Sequence, residues 1–559
     1  METPATEFDV TTLRGRRADS RLHRLSMSDI FERRRWSEPN RVILTGHRGA
    51  GEKPEGESVT VAEADDRANQ FANALLGAGA APGQILAMIC DNSLESVLVK
   101  IGASKAGVTV APINPNLSAD VMEQLIAQIG ARWAVVDAEF AATTSAMLDA
   151  VGVSTVATIA VGGPQPVGAC NFSEFIDGAS TAEPDIVIHG DDIWQIQFTS
   201  GTSALPKGVM GSHMKTMIES LASMGIVTRG QKFEFDTVAG IFIPVTYHVS
   251  EVLIYSAMLC GGRAVVGRRP DARELAEAID EHGITTMHVG SPQMLTALDS
   301  ELRADGNLDA SSVTSILHSF APLDPAAYSS AREAIGTDLI VVGVVGQTEM
   351  CVMHRFWIGA SESLHSATSP QENYVGRPHP LTAAALMTED GEVMEPGAGG
   401  TGEGVYRSPA LMAGYFGNQE ATAQAFDGDW FHGGDAFREG EDGLRILSDR
   451  IKDVIKSGGE NVSSIRIEST VGGHPAVDRA VAIGLPHPRW GEAVTVLVRT
   501  RTGHSVSETE LLEFARNRLA GFEAPKGVIF VEDFPETVGN KVKKNELRSR
   551  YRDLYTAAG

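Results

Sequence analysis

From residue 59 to residue 76 the apolar side chains Ala62, Ala64, Ala68, Phe71, Ala72 and Leu75 recur at helical spacing, and Gly77 and Gly79 close the run. This pattern predicts a helix with one buried face. Residues 85–90 then form an unbroken apolar run short enough for a buried strand, 94–106 return to helical spacing, and 108–112 read as the next strand. The alternation resumes later, with strands over 237–244, 262–266, 285–289 and 339–345 and helices over 249–259 and 272–282. Strands alternating with helices predict parallel sheets covered by helices. In such sheets ligands sit beyond the carboxyl ends of strands. From Gly391 the pattern changes to glycine-rich turns, including 396–404, as expected of a small β subdomain at about 375–447. Residues 444–447 followed by Ser448-Asp449-Arg450 read as a boundary, and the roughly 110 residues beyond it suffice for a separate domain. Residues 1–30, rich in charge and poor in periodicity, read as a loosely held lead-in.

Composition narrows the picture only a little. With 559 residues, 43% hydrophobic and 21% charged, the chain falls in the ordinary globular class. A net charge of -25 argues against nucleic acid and anionic membrane as partners, so a site for a phosphate or carboxylate has to be a local positive island. Cys90, Cys170, Cys260 and Cys351 have neither zinc spacing nor a disulfide framework, which fits a reducing cytoplasm. Neither a signal peptide nor a membrane span is legible, and a cytoplasmic location is expected.

The densest chemistry lies in Phe198-Thr199-Ser200-Gly201-Thr202-Ser203-Ala204-Leu205-Pro206-Lys207-Gly208-Val209, between the apolar run 193–198 and a helix-like segment from Met214. Hydroxyls, backbone amides and Lys207 can all face an oligophosphate there. It is not the P-loop of NTPases, because Pro206 precedes Lys207 and Gly208 follows it, where that motif needs a glycine and then a metal-holding hydroxyl. Taken alone, the stretch also reads as a polar turn without a ligand. Gly346-Gln347-Thr348-Glu349 ends the apolar run 339–345; its glycine permits close backbone approach, Thr348 can bond phosphate and Glu349 can hold Mg2+. By itself this too could be only a turn. Asp435 closes Asp429-Trp430-Phe431-His432-Gly433-Gly434-Asp435 and can accept both hydroxyls of a ribose. Asp449-Arg450-Ile451-Lys452 leads to Lys456-Ser457-Gly458-Gly459, and Pro535-Glu536-Thr537-Val538-Gly539-Asn540-Lys541 lies near the end.

In this order the blocks resemble the adenylate-forming superfamily, in particular its acyl-CoA synthetases. The resemblance covers roughly residues 60–550 and implies a large N-terminal domain (31–448) and a mobile C-terminal α+β domain (449–559). It also implies adenylation of a carboxylic acid by ATP with Mg2+, followed by transfer to CoA. Under it Thr199, Ser200, Gly201, Thr202, Ser203, Lys207, Gly346, Gln347, Thr348, Asp435 and Arg450 bind nucleotide, and Glu349 binds the metal. Asp449 is the hinge, Lys456, Gly458 and Gly459 line the path of CoA, and Lys541 stabilises charge during adenylation. Tyr247 and His248 stand where amino-acid-activating relatives carry an aspartate for the substrate ammonium, so the resemblance points to acyl or aryl acids. His248, Tyr247, Phe320 and Gly343 are then expected at the acyl pocket, with His248 as a catalytic candidate, although a packed core histidine fits the sequence equally.

Five positions depart from the family pattern: Ala204 in the phosphate loop, Phe320 where a small residue is usual, Val345 for an adenine-stacking aromatic, Gly434 for threonine and Asn540 for glycine. They raise the alternative of an enzyme specialised in the second half, acyl-AMP to acyl-CoA. Transfer of the acyl group to an amine or carrier protein, and a nucleotide-binding sensor without turnover, are further alternatives. The sequence leaves the acid unnamed and a homodimer open.

Overall fold

The computed structural model describes residues 25–199, 205–226, 236–440, 443–458, 460–536 and 542–555. The helix expected over 59–76 spans Val61–Gly77. Thr60 starts it by accepting the Glu63 N–H at 3.2 Å, while the Glu63 carboxylate accepts the Thr60 N–H at 2.8 Å, so two donors that a helix start leaves unpaired are satisfied. Its stripe of Ala64, Ala68, Phe71, Ala72 and Leu75 is fully buried, facing the helix Leu94–Lys105. Gly102 allows the close approach, since a Cβ there would stand 2.7 Å from the Ala68 carbonyl oxygen. The second helix is buried on every side, its charges included.

A seven-stranded sheet carries the first half of the N-terminal domain. Ile85–Ile89 pairs in parallel with Thr109–Pro112 and Trp133–Asp137, and Ile193–Phe198 lies beyond Thr109–Pro112. Where the sequence leads from strand through loop directly into helix, the structure inserts another strand. Gly208–Ser212 turns back antiparallel on Ile193–Phe198, with Gly208 opposite Phe198, and the helix His213–Ile226 begins only afterwards. Two glycines make room for this return, because a Cβ at Gly208 would come within 2.8 Å of the Ile196 side chain and one at Gly211 within 3.0 Å of Gln195. The described residues on the two sides of 200–204 therefore belong to antiparallel strands, and the helix does not follow that stretch directly.

The second sheet has thirteen strands. Its parallel part holds Val42–Gly46, Arg263–Val266, Val238–Ile241, Thr286–His288, Ser315–His318 and Ile340–Gln347. Met350–Trp357 then reverses direction, and Tyr374–Pro378 hydrogen-bonds to both Met350–Trp357 and Arg445–Arg450. Through that strand the β subdomain continues the same sheet instead of standing beside it. The strand Arg445–Arg450 also runs across the boundary expected at residue 448. At the other end, the body begins inside the expected lead-in: Met27 and Ile30 are buried, and the Met27 N–H donates to His213 Nδ1 at 3.1 Å.

The C-terminal part is an α+β unit. Val477–His487 pairs antiparallel with Gly491–Thr500, and Gly527–Phe530 joins the latter in parallel. One core gathers around Ile467, Val471 and Leu511, and another around Ile483, Leu497, Phe534 and Leu547. Among the described residues, no helix is long and apolar enough to cross a membrane.

Candidate active site

The base of the phosphate loop is closed by two bonds, from the Thr199 N–H to the Lys207 carbonyl at 3.0 Å and from the Lys207 N–H to Thr199 Oγ1 at 3.2 Å. The Lys207 ammonium then lies over the Tyr415 ring, 4.2 Å from its centroid. Tyr415 is set there by the strand Gly414–Tyr415, which pairs with Gly208–Ser212, and its hydroxyl donates to Glu349 Oε1 at 2.7 Å. A cation, a phenol and a nearly buried carboxylate thus stand in line. Burial, and then the Glu349 charge, push the Tyr415 phenol far above its usual range, so it acts only as a donor toward the carboxylate. Gly346 is obligatory in the adjoining turn, because a Cβ would fall 1.6 Å from the Cys351 carbonyl oxygen of the next strand.

On the other side of the same turn, Gln347 donates to Asp435 at 2.9 Å and to the Gly433 carbonyl at 2.6 Å. Asp435 also receives Arg450 Nε at 2.7 Å, across two strands in which these residues are directly paired. Asp435 is 5% exposed, whereas the Arg450 side chain is 44% exposed and can reach a ligand. Gly434 has φ of +69°, the left-handed region that favours glycine. Its N–H is held by Glu403 at 3.0 Å, and Glu403 meets His432 at 2.9 Å through its other oxygen.

Asp449 is 2% exposed and bridges the domains, accepting the Arg450 N–H at 2.8 Å and the Ser464 N–H at 2.6 Å, the latter from the first residue of the helix Ser464–Gly472. Lys456 is exposed and reaches Glu389 of the β subdomain at 3.1 Å. Gly458 has φ of +65°, and a Cβ there would meet the Trp490 ring at 3.3 Å.

The acyl-side expectations fare differently. Tyr247 is half-buried at the start of the helix His248–Leu259. His248, 4% exposed, is enclosed by charges: Nε2 bonds Glu219, with Lys215 Nζ 2.9 Å away, and Nδ1 lies 3.3 Å from Glu251. Phe320 is 61% exposed and adopts φ of +72°, in the loop after Ser315–His318. The space that Gly343 leaves is filled by the His318 imidazole, 3.3 Å from where its Cβ would stand, so Gly343 opens no room on that face. Val345 packs with Val375, Leu386 and Phe437. Ser200, Gly201, Thr202, Ser203, Ala204, Gly459, Asn540 and Lys541 lie outside the described residues.

Sequence reasoning left out Tyr415, Lys215 and Glu219. The stretch Gly414-Tyr415-Phe416-Gly417 shows no chemical role on its own, and the partner of Tyr415, Glu349, is 66 positions away. Lys215 and Glu219 carried a legible signal, an i, i+4 opposite-charge pair on a helix, but such a pair is ordinarily a solvated face.

Comparison with known proteins identifies the family. Residues 31–416 match the model of the AMP-binding enzyme family, and residues 466–541 that of the AMP-binding enzyme C-terminal domain. A feruloyl-CoA synthase from Amycolatopsis sp is 30% identical over 510 residues, covering 89% of this chain and 94% of that one. The long-chain-fatty-acid–CoA ligase FadD13 of Mycobacterium tuberculosis is 30% identical over 496 residues, covering 88% and 93%. The amide bond synthetase McbA of Marinactinospora thermotolerans superposes with a TM-score of 0.78 at 26% identity, over 94% and 99% of the two chains. With both modules in order and the motifs converging from separate strands, the chain belongs to the AMP-binding enzymes of the adenylate-forming superfamily.

Proposed function

We propose that the protein is an ATP-dependent acid–CoA ligase. One observation supports this above the others: Lys207, Tyr415 and Glu349 form one line of contacts, joined through the turn 346–349 to Gln347, Asp435 and Arg450. A triphosphate, a ribose and a divalent cation each find suitable groups along that path. The donor set fits Mg2+ at Glu349, a hard carboxylate held by a neutral phenol donor; when bound, the ion neutralises phosphate charge.

In the first half a carboxylate oxygen of the acid bonds to the α-phosphorus of ATP while the bond from that phosphorus to the β-bridging oxygen breaks, giving acyl-AMP and pyrophosphate. Lys207 supplies positive charge at the phosphates, and Asp435 holds the ribose so that the α-phosphorus faces the acid. Lys541, by the motif around it, is assigned the charge on the transferring oxygens. In the second half a CoA sulfur, having lost its proton, bonds to the acyl carbon and AMP leaves with the carboxylate oxygen. Asp449 is the pivot that exchanges the Lys541 segment for the Lys456–Gly458 segment, and Gly458 keeps the thiol path narrow but open.

The test is a panel of alkyl, aryl and hydroxycinnamic acids with pyrophosphate and CoA-thioester formation as paired readouts, on the wild type and Lys541→Ala. Both products from one acid, with pyrophosphate lost in the variant, are expected. Thioester formed only from supplied acyl-AMP would instead identify a second-half specialist. Pyrophosphate with an amide from an added amine but no thioester would identify an amide synthetase, and MgATP binding without any product a sensor.

A further inference from the structure

His248 is the middle of a five-member row of buried charges that no part of the reaction scheme uses. The order is Lys215, Glu219, His248, Glu251, Lys100, drawn from three helices, and each side chain is at most 3% exposed. Lys215 and Glu219 sit one turn apart on His213–Ile226 with 2.9 Å between Nζ and Oε2. The same Oε2 bonds His248 Nε2. On the far side Glu251 Oε2 lies 3.3 Å from His248 Nδ1, and Glu251 Oε1 bonds Lys100, whose ammonium is also held by the Val245 carbonyl at 2.6 Å. Gln195 Nε2 lies 3.3 Å from Nδ1 and Lys215 Nζ 2.9 Å from Nε2, and the Cys351 thiol and the Tyr255 phenol adjoin the two carboxylates.

Such a row is costly to bury unless its signs alternate and its hydrogen-bonding capacity is met. With an imidazolium at the centre, each carboxylate lies between two cations, while the Lys215 ammonium also stands 2.9 Å from His248 Nε2. Burial and Lys215 oppose that charge, yet Glu219 and Glu251 outweigh them and hold the His248 imidazole above its ordinary value.

The end of the row reaches the nucleotide turn. Lys215 Nζ lies 3.4 Å from the Thr348 carbonyl oxygen, and Glu219 uses its free oxygen, Oε1, to accept the Cys351 N–H at 2.7 Å. These two contacts bracket Glu349. An exposed pair would leave both groups to water, but here removing either side chain strips a backbone group of the turn of its partner.

We propose that Lys215 and Glu219 are positioning residues that fix the Thr348–Cys351 turn, and with it Glu349, to His248. The inference rests on the ligase reading for the role of Glu349, and it deepens that reading by bringing in His248, whose charge state sets how firmly the metal and phosphate ligands are held. His248 is then linked to nucleotide affinity through the protein rather than by touching nucleotide.

The experiment uses the full chain and MgATP alone, so no acid need be known. MgATP affinity is measured by calorimetry from neutral pH upward, and the His248 imidazole is followed by NMR on histidine-labelled protein, assigned by its loss in His248→Gln. In the wild type affinity is expected to fall as pH rises through the His248 midpoint, and His248→Gln is expected to abolish that dependence. Glu219→Gln should lower the midpoint and weaken MgATP about tenfold, and Lys215→Met should weaken it similarly, while Lys215→Arg restores binding. Wild-type affinity that is flat across the His248 midpoint overturns the inference even if no variant folds. So do Glu219→Gln and Lys215→Met proteins that bind MgATP like the wild type. A wild type that binds no MgATP overturns the ligase reading and this inference together, whereas binding insensitive to these residues overturns this inference alone.

Discussion

Replacing Tyr415 by phenylalanine removes one oxygen atom and leaves everything else in the site in place. The ring keeps its position under the Lys207 ammonium, 4.2 Å from the centroid, so the cation–π contact survives. What is lost is a 2.7 Å bond to a carboxylate that is 8% exposed and therefore poorly compensated by water. A hydrogen bond to a charged group is worth about 1.5 to 3 kcal/mol. If Glu349 is oriented for the metal by that hydroxyl, the loss appears as MgATP affinity weakened by about 10- to 150-fold. Lys207→Met, which removes the cation instead, should weaken binding by about 0.5 to 2 kcal/mol through the ring contact alone, in addition to its direct effect on phosphate. The assay is calorimetric titration with MgATP, with thermal unfolding to verify the fold. Tyr415→Phe binding within about twofold of wild type, a difference below about 0.5 kcal/mol, would refute the orienting role.

Three other outcomes are expected. Gly346→Ala places a methyl 1.6 Å from the Cys351 carbonyl, so the hairpin must shift; the variant should lose about 3 kcal/mol or more, read as a drop in unfolding temperature. Glu95, 3% exposed and pushed up to about 7 from 4.5 chiefly by burial, resists ionisation in the folded chain. Its folded value exceeds its unfolded one, so the penalty is absent below pH 4.5 and complete above about pH 7; Glu95→Gln should therefore stabilise by up to about 3 kcal/mol at about pH 8 and by nothing at about pH 4, measured by denaturant unfolding at both. Asp449→Ala leaves the Ser464 and Arg450 N–H groups without their acceptor, so limited proteolysis near residues 450–464 should accelerate, while a cleavage rate equal to wild type would count against its bridging role.

Local rules made much of the fold legible. Residues 59–76 had helical spacing, a capping pair in Thr60 and Glu63 and terminal glycines, and tertiary packing opposed none of these. The helix Ala272–His282 begins and ends where its periodicity does. The hairpin return at Gly208–Ser212 was not legible, because five residues of which two are glycines lack the alternation of a strand and are fixed by pairing with Ile193–Phe198. The continuity of the β subdomain with the large sheet depends on Tyr374–Pro378, whose two edges choose partners far before and far after it in the chain, beyond any local signal. At the site, individual residues could be named from motifs, but their connections could not. Tyr415 to Glu349, Gln347 to Asp435 and Lys215 to Thr348 are long-range bonds that only the packed sheets create.

The strand that ends in Asp449 and Arg450 is also the one that lies against Asp435, with Asp435 opposite Arg450 and Ala436 opposite Asp449. The residue that holds the start of the helix Ser464–Gly472 is thus mounted beside the contacts among Gln347, Asp435 and Arg450. A torsion at residue 449 would therefore reach Asp435 through a single strand pairing. On the ligase reading proposed above, the rotation that admits the thiol would also disturb Asp435, and departure of AMP would be coupled to the stroke that makes the product.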